Sequence, residues 1–407
     1  MPQEVPLGDG TVQFSLPDCE VTVAEPSGAV AVDVREAAVE AVESPHGPPL
    51  AERVGPDDDV AIVVTDVTRA TPEAILLDVL LGELRDTGVA REQLTVVIGL
   101  GLHRPMADQE IEAALGEHAD LAVNHDPERT VGVGTVDGCR IDLFEPVAGA
   151  DVVCSTGMVE PHQYAGFSGG AKTAVIGAGG ESQIRYSHGP ELLGQDGVRL
   201  GRIEHNPFRE FLDRAGDAAG VEFCLNVTHG PPGIMGASAG DPRRVVADLA
   251  ATARDALSVG MGDSYGAVVA GVGAPKDANL YQTTRAATDV ILGAQNPLRE
   301  GGRVVIPAVL PEGAGEGTGE QRFYEWLSTA TDPESLYDRM REGYEPGAQR
   351  AFVVARALRD HDVWITNSEH PAVVEECLLH HAGTVEEAIE PGRDVLVVPD
   401  ALNTLLV

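Results

Sequence analysis

Lysine is almost missing from this 407-residue chain. Lys172 and Lys276 are the only two, and every other member of the 28 Lys and Arg residues is arginine. Against them stand 65 Asp and Glu, giving a formal net charge of −37. A surface so negative repels phosphate backbones and anionic headgroups, which argues against nucleic acid and anionic lipid partners. Acid excess with lysine nearly eliminated is the pattern of a protein adapted to high salt, where charge repulsion is screened within about 3 Å at 1 M. It also makes the two lysines conspicuous. Arginine could replace either wherever only positive charge was wanted.

Cysteine is scarce as well. Cys19, Cys139, Cys154, Cys224 and Cys377 are odd in number and show no CxxC spacing, which argues against a disulfide framework and reads as small buried thiols in a reducing compartment. No apolar run reaches the roughly 20 residues a membrane helix needs. The segment Met1-Pro2-Gln3-Glu4-Val5 lacks the basic and apolar regions of a signal peptide. A soluble, cytoplasmic protein is expected. Apolar residues at 43% suffice for a packed core, and the length suggests two domains.

Along the chain, apolar segments end in polar clusters and alternate with helical patterns. Residues 11–24 read as two short strands around a Pro-Asp turn, and 32–43 as a helix. Residues 60–64 read as a buried strand leading into Thr65-Asp66-Val67-Thr68-Arg69, with a helix over 72–85. The strand 94–98 leads into Gly99-Leu100-Gly101-Leu102-His103-Arg104, followed by a helix over 107–117. Segments 131–136 and 140–144 form a hairpin around Asp137-Gly138. A strand at 150–154 leads into residues 155–162. After a helix over 242–258, a second strand-loop-helix series begins at 267, with helices over 279–292, 318–328, 333–342 and 347–359 and strands at 303–306, 363–366 and 394–398. This alternation predicts an α/β fold of two α/β domains, residues 1–259 and 260–407, with the active site in the cleft between them. In open α/β sheets ligands bind beyond the carboxyl ends of the strands. Arg69, His103 and His162 all lie just beyond predicted strand ends and so can converge on one crevice.

The most informative segment is Gly166-Phe167-Ser168-Gly169-Gly170-Ala171-Lys172. Its glycines permit close approach of a ligand, and its N–H groups together with the Ser168 hydroxyl can cradle a phosphate. The spacing fails the GxxxxGK[ST] pattern, although Lys172-Thr173 superficially resembles its end. Lys172 can serve as a phosphate-pairing cation. Unlike arginine, it can also lose its proton and form a covalent bond. Lys276, beside Pro275, Asp277 and Asn279, reads as a turn or salt-bridge residue. The histidines His125, His205, His229, His361, His370, His380 and His381 show no zinc-type spacing.

Together these pieces resemble the lactate racemase family, enzymes that use a nickel-pincer nucleotide. The matching residues are Asp66-Val67-Thr68-Arg69-Ala70-Thr71-Pro72, Gly101-Leu102-His103-Arg104-Pro105, the stretch from Glu160-Pro161-His162 to Lys172, then His188, and Tyr281-Gln282-Thr283-Thr284-Arg285. They occur in family order over most of the chain. The resemblance implies a pyridinium-3,5-bisthiocarboxylic acid mononucleotide carrying nickel, covalently attached to Lys172, with His188 as the protein ligand to the metal. It implies His103 and His162 as the catalytic histidines, and Arg69, Tyr281, Gln282 and Arg285 on the substrate side. Asp66, Thr68, Ser168, Gly169 and Gly170 fall on the cofactor side, and Asp66 would orient Arg69 or a histidine. Enzymes of cofactor synthesis and nickel insertion are the implied protein partners.

The implied activity is racemisation of lactate or a related short-chain 2-hydroxy acid by reversible hydride transfer through a 2-keto acid. Two acid/base groups titrating near neutral pH suit that task. Arg285 stands where lactate racemases commonly have lysine. This either follows the general loss of lysine or marks a larger or dicarboxylic 2-hydroxy acid. A nickel-free nucleotide- or anion-binding protein of the same fold is the alternative from another class, and the joint presence of His103, His162, Lys172 and His188 argues against it.

Overall fold

The computed structural model describes residues 2–262, 264–345 and 347–407, with Asp86 described by its backbone alone. The chain forms two compact α/β units. One comprises Gly28–His188 and Gly201–Ala256; the other comprises Met1–Ser27, Gly189–Leu200 and Leu257–Val407.

The first unit is built on a six-stranded sheet. Its spatial order is Gly233–Gly240, Val221–Gly230, Val152–Val159, Val60–Thr65, Leu94–Gly99, Ala122–Asn124. All neighbours are parallel except the first pair. The central strand is the uninterrupted apolar run Val60-Ala61-Ile62-Val63-Val64, every residue at most 1% exposed, as expected of a parallel strand covered on both faces. The helix Glu73–Leu84 packs Leu76, Leu77, Leu80 and Leu84 into the same core as Ile62, Val64, Val96 and Ile98. The strands Thr130–Val136 and Cys139–Phe144 form the expected hairpin, with positive φ at both Asp137 and Gly138, the conformation of a tight two-residue turn.

The second unit also carries a six-stranded sheet, in the order His380–Ala382, Asp362–Thr366, Leu298–Pro307, Tyr265–Ala270, Asp394–Val398, Glu20–Val23, parallel throughout. Its membership departs from the expected division into 1–259 and 260–407. Residues 1–27 join the C-terminal segment because Glu20–Val23 extends the edge of the sheet beside Asp394–Val398. The hairpin Gln3–Leu7 and Gly10–Phe14 also buries Val5 and Phe14 in the core with Ala267, Val305 and Val397. Residues 189–200 belong to it too: Arg356 Nη1 donates to the Leu193 carbonyl at 2.9 Å. Parallel pairing between strands hundreds of residues apart leaves no local trace in the sequence. Among the described residues, no helix is long and apolar enough to cross a membrane.

Candidate active site

In the first unit, Val60–Thr65 is flanked by Leu94–Gly99 on one side and Val152–Val159 on the other. The chain therefore winds outward in both directions from the central strand, and the crevice at such a reversal lies beyond the strands' carboxyl ends. Asp66 and Arg69 follow the central strand, His103 follows Leu94–Gly99, and Glu160 and His162 follow Val152–Val159.

Asp66 is buried. Its Oδ2 accepts from His103 Nδ1 at 2.6 Å, and its Oδ1 accepts from the N–H and hydroxyl of Thr68 at 3.0 and 2.5 Å. Burial pushes the Asp66 carboxyl up, but the His103 and Thr68 hydrogen bonds and the nearby imidazole outweigh it and hold the group below its ordinary value. Of the two partners foreseen for Asp66, Arg69 or a histidine, it contacts the histidine. Arg69 instead meets Glu160, with Nη1 2.5 Å from Oε1. Thr68 serves Asp66. The His103 ring is 59% exposed, so Nδ1 is anchored while the Nε2 edge faces outward.

Lys172 is half-buried and caps a single π-helical turn, Thr173–Gly177. Such turns are rare and concentrate at functional sites. The turn is locked to the loop that carries His103. Gly101 N–H donates to the Gly177 carbonyl at 2.8 Å, and a β-carbon on Gly177 would come within 2.9 Å of Gly99 Cα, so only glycine permits this approach. Burial lowers the Lys172 amine to about 7, assisted by the charges of Arg69 and Arg209 and opposed by Glu160 and Asp66. Those influences gather Arg69, Glu160, Asp66 and Lys172 into one neighbourhood.

His188 ends the helix Glu181–Ser187. Its Nδ1 donates to the Ile184 carbonyl at 3.1 Å, which puts the basic lone pair on Nε2. Burial, with the charge of Lys172 next, lowers its pKa to about 4, so the ring is neutral. Its ring packs edge-on against Tyr164 and Phe208, at centroid distances of 5.7 and 5.3 Å. His162 joins the same aromatic group, 5.7 Å from Tyr164 and 6.3 Å from Phe208. His162 Nδ1 accepts from the N–H groups of Tyr164 and Ala165, both at 3.2 Å.

The phosphate cradle expected of Ser168, Gly169 and Gly170 takes another form. The Ser168 hydroxyl donates to the Met158 carbonyl at 2.6 Å and accepts from Glu160 N–H at 3.0 Å. Gly170 N–H donates to Asn226 Oδ1 at 2.7 Å. A β-carbon on Gly169 or Gly170 would fall within 2.5–2.7 Å of Val159 or Val246. Ser168 Oγ and Gly170 N–H are thus engaged within the protein, and the two glycines let the loop pack closely.

Tyr281, Gln282 and Arg285 lie on the helix Leu280–Ile291 of the second unit. Asn279 caps it by accepting from Gln282 N–H at 3.0 Å. Buried Arg350 donates to the Tyr281 carbonyl at 2.7 Å and lies 5.5 Å from the ring centroid of Tyr281. Arg285 acts electrostatically on the buried Asp289 one turn on, whose carboxyl burial nevertheless pushes up.

Residues 7–201 match the family description "Lactate racemase N-terminal domain" and residues 263–405 match "Lactate racemase C-terminal domain". The chain belongs to the lactate racemase family. Among its relatives, the lactate racemase of Thermoanaerobacterium thermosaccharolyticum is 26% identical, over 99% of this chain and 98% of that protein. The lactate racemase of Lactiplantibacillus plantarum is 27% identical over 86% and 85%. The solved structure of the T. thermosaccharolyticum lactate racemase apoprotein superposes with a TM-score of 0.87 at 25% identity, covering 100% of both chains. A Thermotoga maritima protein of solved structure shares the fold, with a TM-score of 0.64 at 16% identity, covering 92% of this chain and 97% of that one. The protein is therefore an isomerase of the racemase type.

A lactate racemase implies a nickel-dependent cofactor, and the residues present fit one. Lys172 offers an amine near neutrality, able to form an amide-type bond. His188 offers a neutral imidazole with its lone pair on Nε2, the form that binds a metal. Several residues of this neighbourhood escaped the sequence reading. Buried Glu73 accepts from Thr65 N–H and hydroxyl at 2.7 and 2.6 Å and from the Thr156 hydroxyl, tying the end of Val60–Thr65 to the middle of Val152–Val159. Its carboxyl is pushed up by burial despite those bonds. Arg209 and Phe208 reach the site from positions that carry no motif, while Tyr164 lies inside the 160–172 stretch without being singled out there. Glu160 stood inside one, and its acidic side chain two residues before His162 was the available signal.

Proposed function

We propose that the protein racemises lactate or a closely related short-chain 2-hydroxy acid, using a nickel-pincer nucleotide attached to Lys172. The observation that carries this reading is the pairing of a lysine amine lowered to about 7 with a neutral His188 in one neighbourhood of a lactate racemase-family chain. Lys172 would hold the cofactor covalently and His188 Nε2 would ligate the nickel. When bound, the group supplies a reversible acceptor for the hydride on the substrate's α-carbon, which avoids building a carbanion beside a carboxylate.

The protein's own part is proton transfer and orientation. His103 donates its Nδ1 proton to Asp66, so neutral His103 has its lone pair on Nε2 and is a base for the substrate hydroxyl. The imidazolium it becomes is stabilised by the adjacent carboxylate. His162 accepts two backbone N–H groups at Nδ1, so neutral His162 presents an Nε2–H that donates a hydrogen bond to the substrate oxygen. The two histidines rest in complementary tautomers, one presenting a lone pair and the other an N–H. His162 serves the opposite enantiomer as the base when its proton sits on Nδ1 and Nε2 is free, and each histidine gives up a proton only from its imidazolium. Arg69 grips the substrate carboxylate. Tyr281, Gln282 and Arg285 are read as further substrate-side residues. Cofactor-synthesis and nickel-insertion enzymes are the expected protein partners.

The test uses protein purified from its own organism, incubated with a panel of single-enantiomer 2-hydroxy acids and analysed by chiral chromatography, alongside peptide mass analysis and nickel assay. The expected result is racemisation of lactate, an adduct on Lys172, and loss of nickel in His188→Ala without loss of fold. An unmodified Lys172 in active protein, or full nickel retention in His188→Ala, refutes the assignment.

A further inference from the structure

Glu160 is the first residue beyond the strand Val152–Val159, and its backbone is pinned on both sides. Its N–H donates to Ser168 Oγ at 3.0 Å, and its carbonyl accepts from Ser168 N–H at 2.9 Å. One residue earlier, the Val159 carbonyl accepts from Thr228 Oγ1 at 2.7 Å. Both oxygens of the Glu160 carboxylate are engaged: Oε1 with Arg69 Nη1 at 2.5 Å and Oε2 with His229 Nε2 at 3.1 Å. His229 lies on the neighbouring parallel strand, one residue past the paired positions Thr228 and Val159.

We propose that Glu160 and His229 are positioning residues that aim the Arg69 guanidinium at the substrate carboxylate. The inference rests on the reading of Arg69 as the carboxylate grip and deepens it. An arginine side chain left to itself samples many rotamers, and ordering it during binding costs affinity; a guanidinium aimed beforehand avoids that cost. The Glu160 contact engages one nitrogen of a group with five N–H donors, so a second carboxylate can still be held by two parallel bonds. His229 fills the other oxygen and stops the Glu160 carboxylate from turning. A carboxylate only accepts, so this contact puts a proton on His229 Nε2. An isolated surface ion pair would contribute little. This set differs because Glu160 and His229 are half-buried beside the exposed Arg69, it ends on a fixed strand, and it lies close enough to Lys172 for the charges of Arg69 and Glu160 both to act on its amine.

A grip that is equally strong in the ground and transition states affects KM and leaves kcat nearly unchanged. In cofactor-loaded enzyme, Glu160→Gln is expected to raise the KM for the 2-hydroxy acid about tenfold, with kcat within about threefold. His229→Leu should raise KM by about threefold, and His229→Gln, whose amide N–H can reach the same oxygen, should restore it. In an Arg69→Lys background, adding Glu160→Gln should change KM by less than about twofold, since the partner it serves is gone. A second readout is independent of turnover: nitrogen-15 NMR of the imidazoles should find His229 protonated at Nε2 in the wild type and lose that signature in Glu160→Gln.

An equal KM rise in both backgrounds, a kcat loss matching the loss in kcat/KM, or a wild-type His229 protonated at Nδ1 alone would overturn the proposal. A loaded wild-type enzyme that racemises no 2-hydroxy acid would instead refute the reading of function, and the NMR result would still decide the His229–Glu160 contact.

Discussion

The Lys172 amine should titrate near neutrality, and the perturbation that reveals it is pH itself. In the folded apoprotein burial lowers its pKa from 10.5 to about 7. At pH 7 about half of such amines are neutral, against about 0.03% for an unperturbed lysine, an advantage of about a thousandfold in nucleophilic form. A less basic amine is also a weaker nucleophile. With a Brønsted slope of about 0.4–0.5, the value known for thiols, the net gain falls to roughly 30–60-fold. Access to a half-buried side chain scales the rate but not its pH midpoint. The assay is competitive labelling with trace acetic anhydride between pH 5 and 11, read by mass spectrometry of the Lys172 peptide against a lysine-containing reference peptide. A midpoint near 7 is expected, and one at the reference value would refute the burial argument. The linked effect on stability has a definite sign. The folded value lies below the unfolded one, so the unfolded chain binds more protons between about pH 7 and 10.5, and this group makes the apoprotein more stable as pH rises across that window.

Two further outcomes follow from the hydrogen bonds around the site. Under the proposed function, Asp66→Asn removes the carboxylate paired with His103 Nδ1, so kcat should fall by about 10²–10⁴-fold; activity within a few-fold of wild type would refute the positioning role proposed for Asp66. Glu73→Ala strands the Thr65 N–H and the buried Thr156 hydroxyl and should lower stability by about 2–4 kcal/mol in urea unfolding. An unchanged midpoint there would mean that water replaces the carboxylate without penalty.

Much of this fold was legible in the sequence. The buried run at 60–64, the Asp-Gly turn at 137–138 and the helices at 318–328 and 333–342 were readable because each rests on local periodicity or local turn chemistry. The residues just beyond the strand ends were legible for the same reason, since a parallel sheet presents its loops at one edge. The strands Val221–Gly230 and Gly233–Gly240 were not foreseen. Gly233–Gly240 carries three glycines and owes its extended form to the strand it pairs with.

By itself the sequence determined the α/β alternation, the acidic surface, the rarity of lysine that singles out position 172, and the set of histidines and arginines available for chemistry. Only the tertiary structure decided the partners. It assigned Asp66 to His103, Glu160 to Arg69 and His229, and the polar groups of Ser168 and Gly170 to the protein itself. It also moved residues 1–27 into the C-terminal unit. The physical reason is the same in each case. Periodicity acts over a few residues, whereas ion pairs and edge strands depend on which strand ends become neighbours, and sheet order alone sets that.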